Sequence, residues 1–545
     1  MQTATPNILQ EPLEIVTKKT VAETLVDEIK AAGTEIVFGL PGGENVEVMD
    51  ALRRSGIRFV LVRNESSAVY MADVYARLTG KPGVCLTTLG PGVLNAYVGI
   101  AHAYLDRAPV ILISAETNQS LLPDYTHQAY PLTDILQPVT KMAQSLRSDN
   151  VSISVQKGLR LIRDQRPGPV HLSLSREMAQ QMTDETHQPT VDSEYQSAEL
   201  DNAIEALTGA ARPVIVVGVG LESERPYEAL QTLAEAANAP VIVTPKAKGA
   251  LSDRHPLSAG TIGLSRVDPA YEILDEADCI IAVGFDVVEL VKPWEQAAPL
   301  IWVAPWKNED PVLPMVAEFA GPMQPSLEQL ADLPYETDPS WGTERIATFH
   351  EKLAQQPLPA PQPGHILPQT VLESVRQHTP DDILITTDVG SHKIFTALTW
   401  PTYAPNRYML SNGLSAMSFG VAGAIAGALT LNEHTLCVTG DAGLGMVMGE
   451  LSLLAEYNLP VIIVVMNDSA LDLIRSAQHR AGAPTFGTEF TNPDFGKIAE
   501  AYGLAFHRVA DEDGCNHAIQ AAMATQGPTL IEAVIDPVSY PTTVK

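Results

Sequence analysis

The stretch Thr435-Leu-Cys-Val-Thr-Gly440-Asp-Ala-Gly-Leu-Gly445 decides how the rest of the chain is read. Its first half is a short apolar run of strand character. Its glycine-rich second half opens a helix predicted to reach Tyr457. A strand feeding a tight turn and a helix is the repeating unit of a parallel sheet covered on both faces. In such sheets ligands bind beyond the carboxyl ends of the strands. Glycines there let backbone N–H groups approach a phosphate, and the helix N-terminus adds partial positive charge. Asp441 cannot cradle a phosphate, but it can hold a Mg²⁺ that bridges to one. The next strand, Val461 to Val465, ends at Met466-Asn-Asp-Ser-Ala470, a second group of oxygen ligands at equivalent height. Strand-end Asp and Gly commonly serve only as caps and turns. Two such groups on adjacent strand ends favour a site.

Outward from this stretch the same unit recurs. The third block also carries strands at Ile383–Thr387 and Thr529–Val534. A second block has strands at Pro213–Val217, Pro240–Val243, Cys279–Val283 and Leu300–Val303. A first block alternates strands at Glu35–Phe38, Arg58–Val62, Gly83–Thr88 and Val110–Ser114 with helical periods. The expectation is an α/β protein of three doubly wound parallel-sheet domains. Their bounds are a tail over 1–16, domains over 17–182, 200–332 and 371–545, and linkers over 183–199 and 333–370. The second linker includes the proline-rich run Gln356 to Pro363, which favours extended backbone.

Composition narrows the function. The 545 residues carry 65 Asp and Glu against 35 Lys and Arg, a formal charge of −30. That excludes a nucleic-acid binder and a basic patch docking on anionic membrane. A small anion remains admissible, because local dipoles suffice for it. The cysteines Cys85, Cys279, Cys437 and Cys515 show no C-x-x-C spacing, which points to a reducing cytoplasm. Met1 to Leu13 has no export-signal pattern. Phe419 to Leu431 is apolar but too short to span a bilayer, so it reads as a buried helix. Two further segments follow strands: Asp388-Val-Gly-Ser-His392, alone a helix cap, and Arg63-Asn-Glu65, alone a helix acid satisfying the dipole.

Taken together, the ordered set resembles the thiamine-diphosphate-dependent 2-oxo acid enzymes of the acetolactate synthase-like branch. It comprises Phe38-Gly-Leu-Pro-Gly-Gly43, Glu65 with Met71 to Gly80, Leu89-Gly-Pro-Gly92 and Pro167-Gly-Pro-Val170. It continues with Thr387-Asp-Val-Gly390, Ser411 to Gly420, and Gly440-Asp-Ala. The resemblance implies pyrimidine-binding, central and pyrophosphate-binding domains, and a homodimer or homotetramer with active sites at the subunit interface. It implies thiamine diphosphate and Mg²⁺ as cofactors and small 2-oxo acids as substrates. Glu65 matches the glutamate that hydrogen-bonds the aminopyrimidine, Met417 the apolar wedge that bends the cofactor, and Ser415 the carbonyl that holds the amino group. Gly390, Ser391, His392, Gly440, Ala442 and Gly443 fall at the diphosphate. Asp441, Asp468 and the carbonyl of Ala470 fall at the metal.

Departures from the family pattern bear on the substrate. Asn467-Asp468 replaces the common Asn-Asn, as in catabolic acetolactate synthases. Ala477 stands at the tryptophan of the biosynthetic enzymes, and Phe285 stands for the arginine that holds FAD, which argues against FAD. His127, Gln128 and Arg475 are candidates to line the substrate site. The implied reaction decarboxylates a 2-oxo acid and joins the fragment to a second 2-oxo acid or an aldehyde. The alternative is a decarboxylase releasing an aldehyde, for example from 2-oxoglutarate with Arg475 on the distal carboxylate. A third reading is a non-catalytic binding subunit. Gly218-Val-Gly220 lacks the rest of a dinucleotide fingerprint.

Overall fold

Short runs rich in Val, Ile and Leu, bounded by Gly, Pro or Asn, form the strands of three sheets in a computed structural model. It describes residues 18–122, 124, 127–183, 197–265 and 267–540. The expected tail (1–16) and residues 184–196 of the first linker lie outside the described residues. The first sheet holds Ile36–Leu40, Arg58–Leu61, Gly83–Thr87, Val110–Glu116, Met142–Ser145 and Val170–Ser175, all parallel. In space they run second, first, third, fourth, sixth, fifth. The third sheet holds Leu384–Thr387, Tyr408–Leu410, Thr435–Gly440, Val461–Asn467, Ala505–Val509 and Thr529–Val534, also parallel and in the same spatial order.

The central sheet differs. Its strands Pro213–Val217, Val241–Val243, Ser258–Thr261, Cys279–Val283, Leu300–Ala304 and Met315–Ala320 run third, second, first, fourth, fifth, sixth. A short antiparallel strand, Ser197–Ala198, closes one edge. This is the order of dinucleotide-binding sheets, whose crevice opens where the order reverses. The doubly wound, three-sheet architecture expected from the sequence is what the chain forms.

Two helices join the first and third blocks. Glu65–Thr79 and Phe419–Leu431 are buried along most of their length and share one apolar core. The second is rich in Gly and Ala, which lets it approach the sheet closely. A Cβ at Gly427 would lie 2.4 Å from Leu384 Cδ2, so a larger residue there forces the helix off the sheet. Among the described residues no helix is long and apolar enough to cross a membrane.

Some local expectations need correction. The second linker, 333–370, carries regular structure that the sequence reading did not place, ahead of its proline-rich run: Trp341–Arg345 forms a π-type turn and Ile346–Ala354 an α-helix. Trp341 and Phe349 are buried in the central core, and the Trp341 indole N–H donates to the Pro213 carbonyl at 2.8 Å. Helix and strand are absent only from stretches such as 357–362, where prolines remove backbone donors. The helix expected to run unbroken to Tyr457 is three pieces, Asp441–Val447, a 3₁₀ turn Met448–Glu450 and Leu451–Glu456. Gly445 and Gly449 weaken it there.

Candidate active site

Three strands of the third sheet end side by side: Thr387 pairs with Val438, and Gly440 pairs with Met466. Gly390, Ser391 and His392 follow the first strand, Asp441 to Gly443 the second, and Asp468 to Ala470 the third. A Cβ at Gly390 would meet His392 Cε1 at 2.5 Å, and one at Gly443 would meet Asp388 Oδ2 at 2.5 Å. Side chains at these two positions are therefore excluded, which leaves the backbone there bare. His392 is buried, one ring nitrogen, Nε2, has no hydrogen-bond partner, and burial lowers its pKa to about 4. A buried ring nitrogen without a partner, at the start of the helix Ser391–Thr399 and against Gly440, leaves a polar group for a ligand to satisfy, and the helix N-terminus beside it suits an anion.

The two acids of this cleft also behave as a pair. Asp441, 3% exposed, accepts the N–H groups of Ala442 (2.8 Å) and Ser469 (2.9 Å) and the amide of Asn492 (2.6 Å). Burial, and then the charge of Asp441, push the Asp468 carboxyl up to about 7. Two largely buried carboxylates that repel each other suit a divalent cation. Among the described residues no cluster of three or more His, Cys, Asp or Glu is set to hold a metal. Such a cation would need carbonyl and phosphate oxygens as well.

Ser415 and Met417 sit on the loop that enters the helix Phe419–Leu431. The loop is anchored at both ends by residues that sequence reasoning passed over. Lys393, buried, gives its ammonium to Ser411 O (3.2 Å) and Ser415 Oγ (3.0 Å). Asp388, fully buried, accepts the N–H groups of Val389 (2.9 Å) and Ser418 (2.7 Å). The cap reading of Asp388 fails, because Gly390 occupies the cap position and Asp388 ties two loops together instead. Ser415 and Ser418 both have left-handed backbone, φ 54° and 83°, a conformation the two anchors stabilise.

In the first block Glu65 opens the helix Glu65–Thr79 and is 6% exposed. The Asn95 amide donates to Glu65 Oε2 at 3.1 Å, another contact the sequence did not signal. The other oxygen, Oε1, lies 3.5 Å from where a Cβ on Gly92 would stand. Gln128, at φ 56°, lies against Gly90, whose added Cβ would meet Gln128 Cβ at 3.1 Å. His127, exposed, is its neighbour. Glu65 and Gln128 thus flank the Gly90-Pro-Gly92 turn. Among the described residues no hydrogen bond or ion pair joins Glu65 to the strand-end cradle of the third block. Arg475 is committed to Asp468 (2.8 Å) and Asp472 (2.9 Å), and Ser391 Oγ donates to Asp472 at 2.6 Å. Ala477 lies on the same helix, Asp472–Arg480, which buries none of its residues.

The crevice of the central sheet is filled by the chain itself. A Cβ at Gly220 would stand 2.3 Å from Trp306 Cη2, and one at Gly218 would stand 2.6 Å from Glu289 Oε2. Phe285 is buried against Trp294, ring centroids 5.3 Å apart. Glu289 accepts the Thr244 hydroxyl (2.6 Å) and the Val219 N–H (2.9 Å), which the dinucleotide-binding sheets leave to phosphate.

Three family models fall on the three sheets: the N-terminal TPP binding domain of thiamine pyrophosphate enzymes over residues 19–137, their central domain over 200–316, and their C-terminal TPP binding domain over 388–533. The large subunit of acetolactate synthase isozyme 3 from Escherichia coli K12 is 32% identical, the match covering 88% of each chain. This chain belongs to the thiamine-pyrophosphate-dependent acetolactate synthase family. A probable acetolactate synthase large subunit of Methanococcus aeolicus is 28% identical over 95% of this chain and 92% of the relative. An acetolactate synthase of Bacillus subtilis is 27% identical over 94% and 93%. Within the family frame, Glu65 and Gln128 lie in the N-terminal match, and the strand-end cradle lies in the C-terminal one.

Proposed function

We propose that this enzyme decarboxylates one 2-oxo acid and joins the remaining fragment to a second, an acetolactate synthase-like carboligation using thiamine diphosphate and Mg²⁺. The observation that carries the reading is the cradle. A buried His392 with an orphaned nitrogen, three glycines that bare the backbone, and the mutually repelling Asp441 and Asp468 meet on adjacent strand ends. When bound, thiamine diphosphate supplies a nucleophilic carbon and an electron sink for loss of carbon dioxide.

Each protein group then has a task. Gly390, Ser391, His392, Gly440, Ala442 and Gly443 bind the diphosphate, and Asp441, Asp468 and the Ala470 carbonyl hold Mg²⁺. The Ser415 carbonyl and the Met417 side chain would receive the pyrimidine end. Glu65, with Oε2 held by Asn95, would present Oε1 to a ring nitrogen of the bound pyrimidine and hold a proton there. Gln128 and His127 face the substrate.

Glu65 and the cradle lie in different blocks, and the reading assigns the two ends of one cofactor to two copies of the chain, as dimer or tetramer. Exposed apolar residues beside each half support a second copy: Leu94 and Val98, one turn apart on the helix Pro91–Leu105, and Met446 beside the acid turn. The domain assignment is 17–182 for the pyrimidine, 200–332 central and 371–545 for the diphosphate. The self-filled crevice supports an enzyme without FAD. Four buried free cysteines support a reducing, cytoplasmic setting. For a 2-oxoglutarate decarboxylase, Arg475 would be needed on a distal carboxylate, yet it is paired with Asp468 and Asp472.

The test is a panel of 2-oxo acids with carbon dioxide, aldehyde and acyloin products measured separately. Acetolactate from pyruvate is expected. Aldehyde alone from a larger acid would replace carboligation with simple decarboxylation, and no turnover with no cofactor binding would leave a binding subunit.

A further inference from the structure

The loop 411–418 belongs to the third block, yet the other two blocks hold it. Its start presses on the C-terminal end of the helix Pro91–Leu105, where a Cβ at Gly413 would stand 2.7 Å from the Leu105 carbonyl oxygen. Asp106, the next residue, is buried, and its Oδ1 accepts the backbone N–H groups of Asn412 (3.0 Å) and Gly413 (3.2 Å). The same oxygen lies 2.9 Å from the ammonium of Lys246, whose side chain is 4% exposed. Lys246 comes from the central block, on the 3₁₀ turn Pro245–Ala247. That block adds a second tie, the Asn412 amide donating to the Glu289 carbonyl at 2.9 Å.

His102 extends the set. Its Nδ1 lies 2.8 Å from Asp106 Oδ2 and 2.9 Å from Ser411 Oγ, and its Nε2 lies 3.0 Å from Asp73 Oδ2. From Ser411 the contacts run on into the second half of the loop. Ser411 Oγ accepts the Ala416 N–H at 3.0 Å, Lys393 ties the Ser411 carbonyl to Ser415 Oγ, and Ser415 Oγ donates to the Asn412 carbonyl at 2.8 Å. Buried ion pairs add little net stability, because desolvation offsets their attraction. A satisfied network of them does make a segment rigid. Here the segment it makes rigid is the one that carries Ser415 and Met417.

We infer that Lys246, Asp106 and His102 are positioning residues for the pyrimidine half of the site, fixing where the loop 411–418 presents the Ser415 carbonyl and Met417. This rests on the proposed role of that loop. It gives the central block a part in the reaction although Trp306 and Glu289 fill its own crevice. Among the described residues no hydrogen bond or ion pair joins any of the three to the strand-end cradle, so the diphosphate half is held independently.

The test is calorimetric titration of the full-length protein, with Mg²⁺ present, by thiamine diphosphate and by inorganic diphosphate, which has no pyrimidine end. Lys246→Met strips Asp106 of its lysine and should weaken thiamine diphosphate at least about tenfold, while inorganic diphosphate stays within about twofold of the unaltered protein. At saturating cofactor kcat should fall roughly tenfold to a hundredfold, with KM for the 2-oxo acid nearly unchanged. Ser411→Ala removes only the hydroxyl between His102 and the Ala416 N–H. It should shift the same quantities in the same direction, and it carries the test if Lys246→Met fails to fold. Folded variants that bind thiamine diphosphate as the unaltered protein does, or that lose both ligands equally, overturn the inference and leave the proposed function standing. No binding of thiamine diphosphate by the unaltered protein overturns both.

Discussion

The carboxylate of Glu450, in the third block, accepts the backbone N–H of Asn64, in the first block, at 2.8 Å, and that of Arg63 at 3.0 Å. The turn that presents Glu65 is therefore held from the other end of the sequence. Glu450 is 1% exposed, so water cannot replace it. Glu450→Ala should lower unfolding stability by about 2–4 kcal/mol, two donors left without acceptors. Glu450→Gln, which keeps one acceptor oxygen, should lose less. Urea denaturation checks both, and an unchanged midpoint for Glu450→Ala would show the contact to be idle.

Glu65→Gln keeps the shape of the side chain and removes its charge. Turnover should fall roughly 10²- to 10⁴-fold, with a melting temperature close to that of the unaltered protein. Asn95→Ala, which frees one oxygen of Glu65, should fall about tenfold. Steady-state kinetics beside thermal melts separate a catalytic loss from a folding one.

Stability should depend on pH through His102, fully buried between Asp106 (Nδ1 to Oδ2, 2.8 Å) and Asp73 (Nε2 to Oδ2, 3.0 Å). Burial opposes its charge, but the two carboxylates outweigh burial and raise its pKa above the usual 6.5. Its stabilisation is complete below pH 6.5 and is lost as pH rises through the raised value. Burial alone would raise the two carboxyls. Arg77 instead brings Asp73 to about 2, and Lys246 holds Asp106 well below the ordinary range. Their contribution is lost only in strong acid. Urea titrations between pH 5.5 and 9 should show an alkaline decline that is missing in His102→Gln.

Chelation should abolish activity, and Mg²⁺ should restore it. Asp468→Asn removes one of the two proposed anionic ligands and should raise the Mg²⁺ concentration for half activity at least about tenfold. A Mg²⁺ titration of chelated protein reads it. Unaltered Mg²⁺ dependence would remove Asp468 from the metal site.

The purified enzyme should carry no flavin absorbance, and added FAD should leave its rate unchanged, because Trp306 and Glu289 occupy the central crevice. A flavin spectrum at one per chain would mean these side chains move aside.

Much of this was legible in the sequence where one strand carries its own signal. Val461–Asn467 and Cys279–Val283 are continuous apolar runs, buried throughout, and they read as parallel strands. Tyr408–Leu410 and Ala505–Val509 did not, the first for brevity and the second because it is half exposed at the sheet edge. The helix Ile346–Ala354 was masked by the proline-rich run after it. The acids and glycines of the cradle were legible because each follows its strand directly. Lys393, Asn95 and Glu450 were not, since their roles rest on partners 22, 30 and 386 residues away, beyond any local period.

The first and third sheets share one strand order, and in each the third strand runs into the turn that matters: Gly90-Pro-Gly92 beside Glu65, and Gly440-Asp-Ala beside the acid pair Asp441 and Asp468. On the proposed roles, one scaffold is used twice at the same address, once with a carboxylate for a ring nitrogen and once with acids for a cation. The two halves meet through like helices, Glu65–Thr79 on Phe419–Leu431. The ligand chemistry of either turn can therefore be rewritten while the joint between the halves stays as it is.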